Sequence, residues 1–309
     1  MIHTLTLGPS LDLTYHVGDF GTDDNNRASN LHRAPGGKGI NVSRVATRLG
    51  HPTVALGLLG GTTGMEVAQL LEAEGVQTWF VTVEGNTRTN PIIQNEAGEQ
   101  LRVIAPVPLV DERVAERLWN VVFALRPPDF LLASGSLPKN VPGDFYRKVL
   151  ARAKQDGVKV VADADGEELR GLVQDGADVI KPNRYELERL LGRELPSFDD
   201  VLSGCQEALA LGAGTVVVSL GEEGALLVRP DGAWRAVPPE VRVQSPVGSG
   251  DSLLGGLCVK LAEGWEPQDA LKFGVACGTA TAMAPGTALC TRAGVEALLG
   301  QVTGEALSG

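Results

Sequence analysis

The sequence predicts an α/β protein: a doubly wound, mainly parallel β-sheet with a small β-sheet lid, in one domain spanning residues 1–309. Three observations carry that prediction. Short β-rich apolar runs alternate with amphipathic helical patterns along almost the whole chain, the mark of βαβ units. Two stretches, about 11–36 and 87–105, break the alternation with strand-like patterns and no helix between them. The composition, 43% hydrophobic and 21% charged over 309 residues, is ordinary for a globular protein able to bury a large core.

Taken in order, HTLTLG (3–8) reads as the first strand, and the segment 11–37 as hairpin material. GINVSRVATRLG (39–50) has helical periodicity, with Ile40, Val42, Val45, Ala46 and Leu49 inward and Arg44 and Arg48 outward. TVALGLLG (53–60) is a buried strand, and MEVAQLLEAEG (65–75) a helix ended by Gly75. The segment 87–105 is a second hairpin, turning at Asn95 to Gly98. An amphipathic helix at 111–125 is capped by Asp111. Strands follow at 130–135, 158–163, 178–183, 215–221 and 225–229, and helices at 143–157, 185–192 and 201–212. Two helical stretches, about 251–263 and 267–283, close the chain. The two interruptions, remote in sequence, meet as a lid over the strand ends. Ligands of a doubly wound sheet belong at the carboxyl ends of its strands.

The net charge of −11 argues against a nucleic-acid or anionic-membrane surface, either of which needs a basic footprint. It leaves room for an anionic ligand, because a few local cations focus field in a cleft. Cys205, Cys258, Cys277 and Cys290 form no C-x-x-C, and the four histidines are scattered, so no zinc spacing emerges. The N-terminus lacks the basic and apolar regions of a signal peptide. The uncharged run Phe273 to Thr291 carries Gly, Thr and Pro285, so it reads as a buried helix and loop rather than a membrane span. These features predict free buried thiols and a cytoplasmic protein.

Walker A and G-x-G-x-x-G patterns are absent, so any phosphate site is of another kind. In SPVGSGDSLLGG (245–256), Gly248, Ser249 and Gly250 precede Asp251 at a helix start. Backbone N–H groups there make an anion cradle, with a carboxylate beside it to take a proton. A turn with a capping Asp fits the same residues equally well. In APGGKGINVSR, Gly36, Gly37 and Gly39 surround Lys38, with Asn41 a turn later. Lys38 offers charge for a phosphate and Asn41 a donor and an acceptor for sugar hydroxyls; a flexible loop with a solvated lysine is the alternative. Asp12, Arg27 and Arg88 fall in the two interruptions, where an acid could meet vicinal hydroxyls and two arginines could fork a phosphate. Taken singly, each reads as a surface charge. Asn183 and Glu186 sit three apart at a strand-to-helix junction, either as a helix start or as holders of water on Mg²⁺. Ser219, Gly221 and Gly224 form a bend that is a hairpin turn or a nucleotide contact.

In their order along the chain these pieces resemble the ribokinase-like (PfkB) carbohydrate kinase family over nearly the full length. GGKGINVSRVATRLG is similar to its N-terminal signature, SPVGSGDSLLGG to its C-terminal one, and KPNRYEL to its N-x-x-E element. As a set they are far more specific than any one. TLGPSLDLT, TRTN and SGSLP (134–138) most resemble the sugar-phosphate branch, the fructose-1-phosphate and tagatose-6-phosphate kinases.

The resemblance implies ATP and Mg²⁺ as cofactors, and phosphorylation of a ketohexose phosphate under the lid. It implies Asp251 as base, with the N–H groups of Gly248, Ser249 and Gly250 as anion hole. Asp12, Gly37 and Asn41 would hold the sugar, and Lys38, Arg27 and Arg88 its existing phosphate. Asn183 and Glu186 would organise the metal and its waters. Ser219, Gly221 and Gly224 would line the nucleotide side, with part of helix 274–281 near adenine. A monovalent cation near Ser245 and Gly286 and a homodimer formed through the lid are further implications. Three departures stand out: Gly8-Pro9-Ser10 for a more usual Asn-Pro-Ala, Asp165 in DADG for a more usual Ser, and Ser249 where Ala is common. The implied reaction converts fructose 1-phosphate to fructose 1,6-bisphosphate. Tagatose-6-phosphate kinase and 6-phosphofructokinase are the alternatives, followed by a free-sugar or nucleoside kinase. A sensor without turnover would have no use for an acid at position 251.

Overall fold

A computed structural model describes residues 1–19, 21, 25–111 and 113–307. The chain opens with β1 (Ile2–Thr6), β2 (Ser10–His16), β3 (Asn30–Gly36), α1 (Lys38–Arg48), β4 (Thr53–Gly60), α2 (Gly61–Ala73) and β5 (Gln77–Val83). Then come β6 (Arg88–Gln94), β7 (Gln100–Arg102), α3 (Val114–Ala124), β8 (Phe130–Ser134), α4 (Phe145–Gln155), β9 (Lys159–Asp163) and α5 (Gly166–Gln174). The rest is β10 (Val179–Ile180), α6 (Arg184–Leu191), α7 (Phe198–Ala210), β11 (Val216–Ser219), β12 (Ala225–Arg229), β13 (Gly232–Val237), α8 (Ser249–Ala262), α9 (Pro267–Ala282), α10 (Arg292–Leu299) and β14 (Thr303–Leu307).

Ten strands form one sheet in the order β14-β13-β12-β11-β10-β9-β8-β1-β4-β5. From β11 to β5 every pairing is parallel; β12, β13 and β14 add an antiparallel edge. Alternation along each strand sends side chains to two cores. On β8, Leu131 and Ala133 join the core that α3 to α7 cover, while Phe130 and Leu132 join the one beneath α1, α8, α9 and α10. Helices on both faces of a mostly parallel sheet are the doubly wound arrangement.

The two interruptions meet as expected. Two antiparallel hairpins, β2–β3 and β6–β7, join through a parallel β2–β6 pair into a four-stranded sheet ordered β3-β2-β6-β7. Asn95 makes the second turn: its carbonyl accepts from Gly98 N at 3.1 Å and its Oδ1 from Glu99 N at 2.8 Å. Strand β6 reaches the main body through Gln94 Nε2, which donates to Gln244 O at 3.3 Å; beyond the turn, Gln100 Nε2 donates to Ser245 Oγ at 3.0 Å.

Several expectations need correction. Helix α2 starts at Gly61, not Met65, and ends as expected before Gly75, whose φ is 75°. Helix α3 starts at Val114 with no side-chain cap; Asp111 instead takes Arg113 N–H on its carboxylate and Val114 N–H on its carbonyl. The strand expected at 178–183 shrinks to Val179–Ile180, because Pro182 has no N–H for a ladder. Two helices do not close the chain: α10 and β14 follow them. Strands β5 and β14 were not expected either; β14 is a sheet edge with exposed, mixed-polarity residues. Arg44, expected outward, is 3% exposed. The four cysteines are free and buried, and among the described residues no helix is long and apolar enough to cross a membrane.

Gly57 lies within β4 with φ 152°, and a Cβ there would stand 2.0 Å from the carbonyl oxygen of Thr6 on β1. Gly57→Ala therefore forces the central strands apart and should cost about 1–3 kcal/mol. The measurement is the urea midpoint against Gly143→Ala, where a Cβ meets nothing within 4 Å and the midpoint should hold.

Candidate active site

The carboxyl ends of β1, β8, β9, β10 and β11 face the N-termini of α1, α6 and α8. The close approach of α1 depends on Gly39, where a Cβ would lie 2.5 Å from both Thr6 Oγ1 and Ser134 Oγ. Gly36 is as tightly placed: a Cβ would overlap Asp12 Oδ2 at 2.4 Å.

Asp251 stands in the first turn of α8, but it is not a cap. The N-cap is Gly248, with φ 76° and no side-chain hydrogen bond. A carboxylate used as a cap would turn back to the helix N–H groups. That of Asp251 instead accepts at Oδ2 from Asn41 Nδ2, 2.8 Å away on α1. Burial raises the Asp251 pKa from 3.8 to about 6, the nearby Asp163 charge adds to this, and Asn41, Lys181 and Lys38 oppose it. The group is thus a carboxylate held near neutrality, a suitable poise for a base.

Beside it the N–H groups of Gly248, Gly250 and Asp251 carry no hydrogen bond among the described residues. The Ser249 N–H, expected in the same set, donates to Pro246 O at 3.3 Å. Unpaired N–H groups at a helix start bind anions. Lys181 adds a cation: its Nζ comes within 3.5 Å of where a Gly250 Cβ would stand.

Four charged groups from three segments interlock nearby. Lys38 Nζ, expected on a sugar phosphate, is 2.9 Å from both Asp163 Oδ1 and Glu186 Oε1. Burial alone would lower its pKa, yet the two acids raise it well above the usual lysine value. Lys181 Nζ lies 3.5 Å from Asp163 Oδ1, and Asp163 Oδ2 is buried with no partner. Asn183 and Glu186 form a capping box on α6: Glu186 N donates to Asn183 Oδ1, and Asn183 N to Glu186 Oε2, each at 2.9 Å. The helix-start reading of that pair is therefore what the geometry contains, with the second carboxylate oxygen turned to Lys38.

On the lid side, Asp12 takes hydrogen bonds from Ser10 at 2.7 Å and Asn90 at 3.0 Å. Burial raises its pKa, and those hydrogen bonds with Arg88 and Arg44 hold it back. Arg88 donates to Gly8 O at 2.7 Å, Ala105 O at 2.8 Å and Pro9 O at 3.4 Å. It thus straps the Gly8-Pro9-Ser10 departure to the lid. Arg27 is exposed in the β2–β3 connection, with no hydrogen-bond or ion-pair partner among the described residues. Asn41, expected on sugar hydroxyls, has both ends engaged: its Oδ1 accepts from Arg44 Nη1 at 3.2 Å. Asp165 caps α5 and pairs with Arg189 at 2.7 Å, which accounts for an acid at that position. Gly37, with φ 124°, is the N-cap of α1.

A cavity of about 550 Å³ opens against the anion hole. Ser219, Gly221 and Gly224 line one side, Ser249 and Gly250 the end, and Val275, Gly278 and Thr279 of α9 the other side. Ser219, Gly221, Gly224 and Gly250 were expected on the nucleotide side, Ser249 in the anion hole, and Val275, Gly278 and Thr279 only as part of the 274–281 segment; Val241 and Val243, which add an apolar wall, were missed. Sequence reasoning also missed Lys181, Asp163 and Arg44. The first was legible: a lysine directly after a buried strand and before the N-x-x-E element.

The model of the pfkB family carbohydrate kinase matches residues 6–293. The ATP-dependent 6-phosphofructokinase isozyme 2 of Escherichia coli (strain K12) is 37% identical over 293 residues, covering 94% of this chain and 95% of its own. The 1-phosphofructokinase of Bacillus subtilis (strain 168) is 33% identical over 282 residues, covering 91% and 92%. The crystal structure of phosphofructokinase-2 from Escherichia coli in complex with substrates and products superposes with a TM-score of 0.93 at 36% identity, over 97% of this chain and 98% of that one.

Because folding raises the pKa of Asp251, the native chain holds a proton between about pH 4 and 6 that the unfolded chain has released, so stability falls as pH rises through that window. Above it the ionised group is a full penalty. Asp251→Asn should therefore raise the melting temperature at pH 7.5, and the gain should fade as pH drops from about 6 to 4. A variant melting below the parent at pH 7.5 would show that the carboxylate is stabilised, not strained, by its surroundings.

Proposed function

The chain belongs to the pfkB family of carbohydrate kinases, as an ATP-dependent sugar-phosphate kinase of the phosphofructokinase type, and we propose that its acceptor is fructose 1-phosphate, converted to fructose 1,6-bisphosphate. One observation carries the chemistry: a carboxylate turned away from its own helix end, beside unpaired N–H donors, at a helix start whose Ser249 and Gly250 line the cavity. The cavity takes the nucleotide, with adenine against α9 and phosphates toward Gly250. The acceptor hydroxyl attacks the γ-phosphorus, its proton passes to Asp251, and the Gly248, Gly250 and Asp251 N–H groups hold the charge that develops on the transferring group. The whole chain acts as one domain, with the lid closing over the sugar to exclude water.

The residues fit Mg²⁺ arriving with the nucleotide. That ion takes one or two carboxylates, phosphate oxygens and several waters rather than an all-protein cage. Among the described residues no cluster could hold a bare metal, yet Asp163, which shares Lys38 with Glu186, keeps a buried, unpartnered oxygen. Asn183 and Glu186 would orient its waters, and the ion would supply charge neutralisation of the phosphates. Buried, unpartnered oxygens of Gln94, Thr14 and Thr287, around Ser245 and Gly286, support a monovalent cation there.

Asp12 meets the sugar hydroxyls. The existing phosphate is read by Arg27 and Arg88, with Lys38 behind them; Arg88 keeps two of its five N–H groups free, and Lys38 one of three. TLGPSLDLT, TRTN and SGSLP support fructose 1-phosphate and tagatose 6-phosphate alike, and the Bacillus subtilis relative favours the first; fructose 6-phosphate is the second reading, supported by the Escherichia coli relative. A second copy of this chain fits the outer lid face, where Leu31, Tyr15, Ile93 and Leu101 make one cross-strand apolar row.

Asp251→Asn should cut turnover about 10²–10⁴-fold while sugar-phosphate binding persists. A near-parental rate would exclude Asp251 as base. Arg27→Ala combined with Arg88→Ala should abolish turnover on the sugar phosphate; unchanged kinetics would place its phosphate elsewhere.

A further inference from the structure

The base depends on an asparagine, and that asparagine depends on a half-buried ion pair none of the chemistry touches. Asn41, Arg44 and Arg48 lie on one face of α1, at spacings of three and four. Arg44 is 3% exposed, and its Nη1 donates both to Asn41 Oδ1 at 3.2 Å and to Pro35 O at 3.1 Å. Its Nε and Nη2 grip Glu74, beyond the end of α2, at 3.0 and 2.7 Å. The other Glu74 oxygen takes Arg48 Nη2 at 2.9 Å, and Arg48 Nη1 donates to Leu289 O at 2.8 Å.

A guanidinium only donates. The Asn41 atom facing Arg44 must therefore be the oxygen, which leaves the NH₂ facing Asp251. Reversed, the amide would set its oxygen against the carboxylate, and the base would lose its one side-chain hydrogen bond. Leu289 packs where a Cβ on Gly248 would stand, 2.6 Å away, so the same Glu74 also supports the loop that carries the anion hole.

We propose that Arg44 and Glu74 are positioning residues for phosphoryl transfer: by fixing the Asn41 amide they orient the Asp251 carboxylate toward the attacking hydroxyl. The inference rests on the reading of Asp251 as base. Misplacing a reacting group by about 1 Å costs on the order of 10²-fold in rate. Arg44→Met should thus lower kcat by roughly 10–100-fold and leave the KM for ATP unchanged. Arg44→Lys, still donor-only, should recover part of the loss.

The test is a double-mutant cycle on kcat, with Arg44→Met placed in the parent chain and in Asn41→Ala. A residue acting through Asn41 loses its effect once Asn41 is gone. Should Arg44→Met fail to fold, Glu74→Gln runs the same cycle, since its partner charge stays and its carboxylate is partly exposed. Collapse of the effect in the Asn41→Ala background is the expected result. An equal fold-loss in both backgrounds overturns the positioning role. Asp251→Asn alone reports on the parent reading: if it keeps turnover, the base assignment has failed, whereas additivity with an inactive Asp251→Asn fails the positioning role only.

Discussion

The hydrogen bond from Asn41 Nδ2 to Asp251 Oδ2 joins residues 210 positions apart and fixes α1 against α8 at the place where both helices begin. Its demands explain much around it. A carboxylate deprived of water needs compensation, or it protonates. Asn41 supplies one hydrogen bond, and Lys38 and Lys181 supply charge without touching the oxygens as closely. The close fit around the helix starts leaves no room for side chains at Gly39, whose Cβ would meet Thr6 and Ser134 of the strand ends, or at Gly248, whose Cβ would meet Leu289.

The same pocket balances charges that would be costly separately. Asp163, Glu186 and Asp251 face Lys38 and Lys181 across the strand ends, in a chain whose net charge is −11. Burial pushes the Asp251 pKa up, the Asp163 charge adds to this, and Lys38 and Lys181 only partly offset them. A phosphate-bearing ligand meets the helix N–H groups as donors, and Lys181, Lys38 and the lid arginines as cations. Specific placement of a few donors, rather than overall charge, makes such a site attractive to an anion.

Much of this was legible in the sequence. Strand–helix alternation gave the parallel sheet, and two gaps in the rhythm gave the lid, because both signals are periodic and local. Gly248 to Asp251 and Asn183 with Glu186 were legible as motifs. The contacts they make were not. Nothing in a helical pattern tells a buried Arg44 from the outward arginine it was read as; its main partner is Glu74, thirty positions on. Lys38 was matched to a phosphate because a lysine among glycines reads so, and the acids that hold it come from two other segments. Edge strand β14 escaped notice for lack of a buried face.

The central claim is phosphoryl transfer to a phosphorylated ketose, and initial rates of ADP release with MgATP test it most directly. The panel is fructose 1-phosphate, fructose 6-phosphate, tagatose 6-phosphate, fructose and ribose. The account predicts turnover confined to the phosphorylated ketoses, with the highest kcat/KM for fructose 1-phosphate. Turnover on fructose or ribose alone would contradict it.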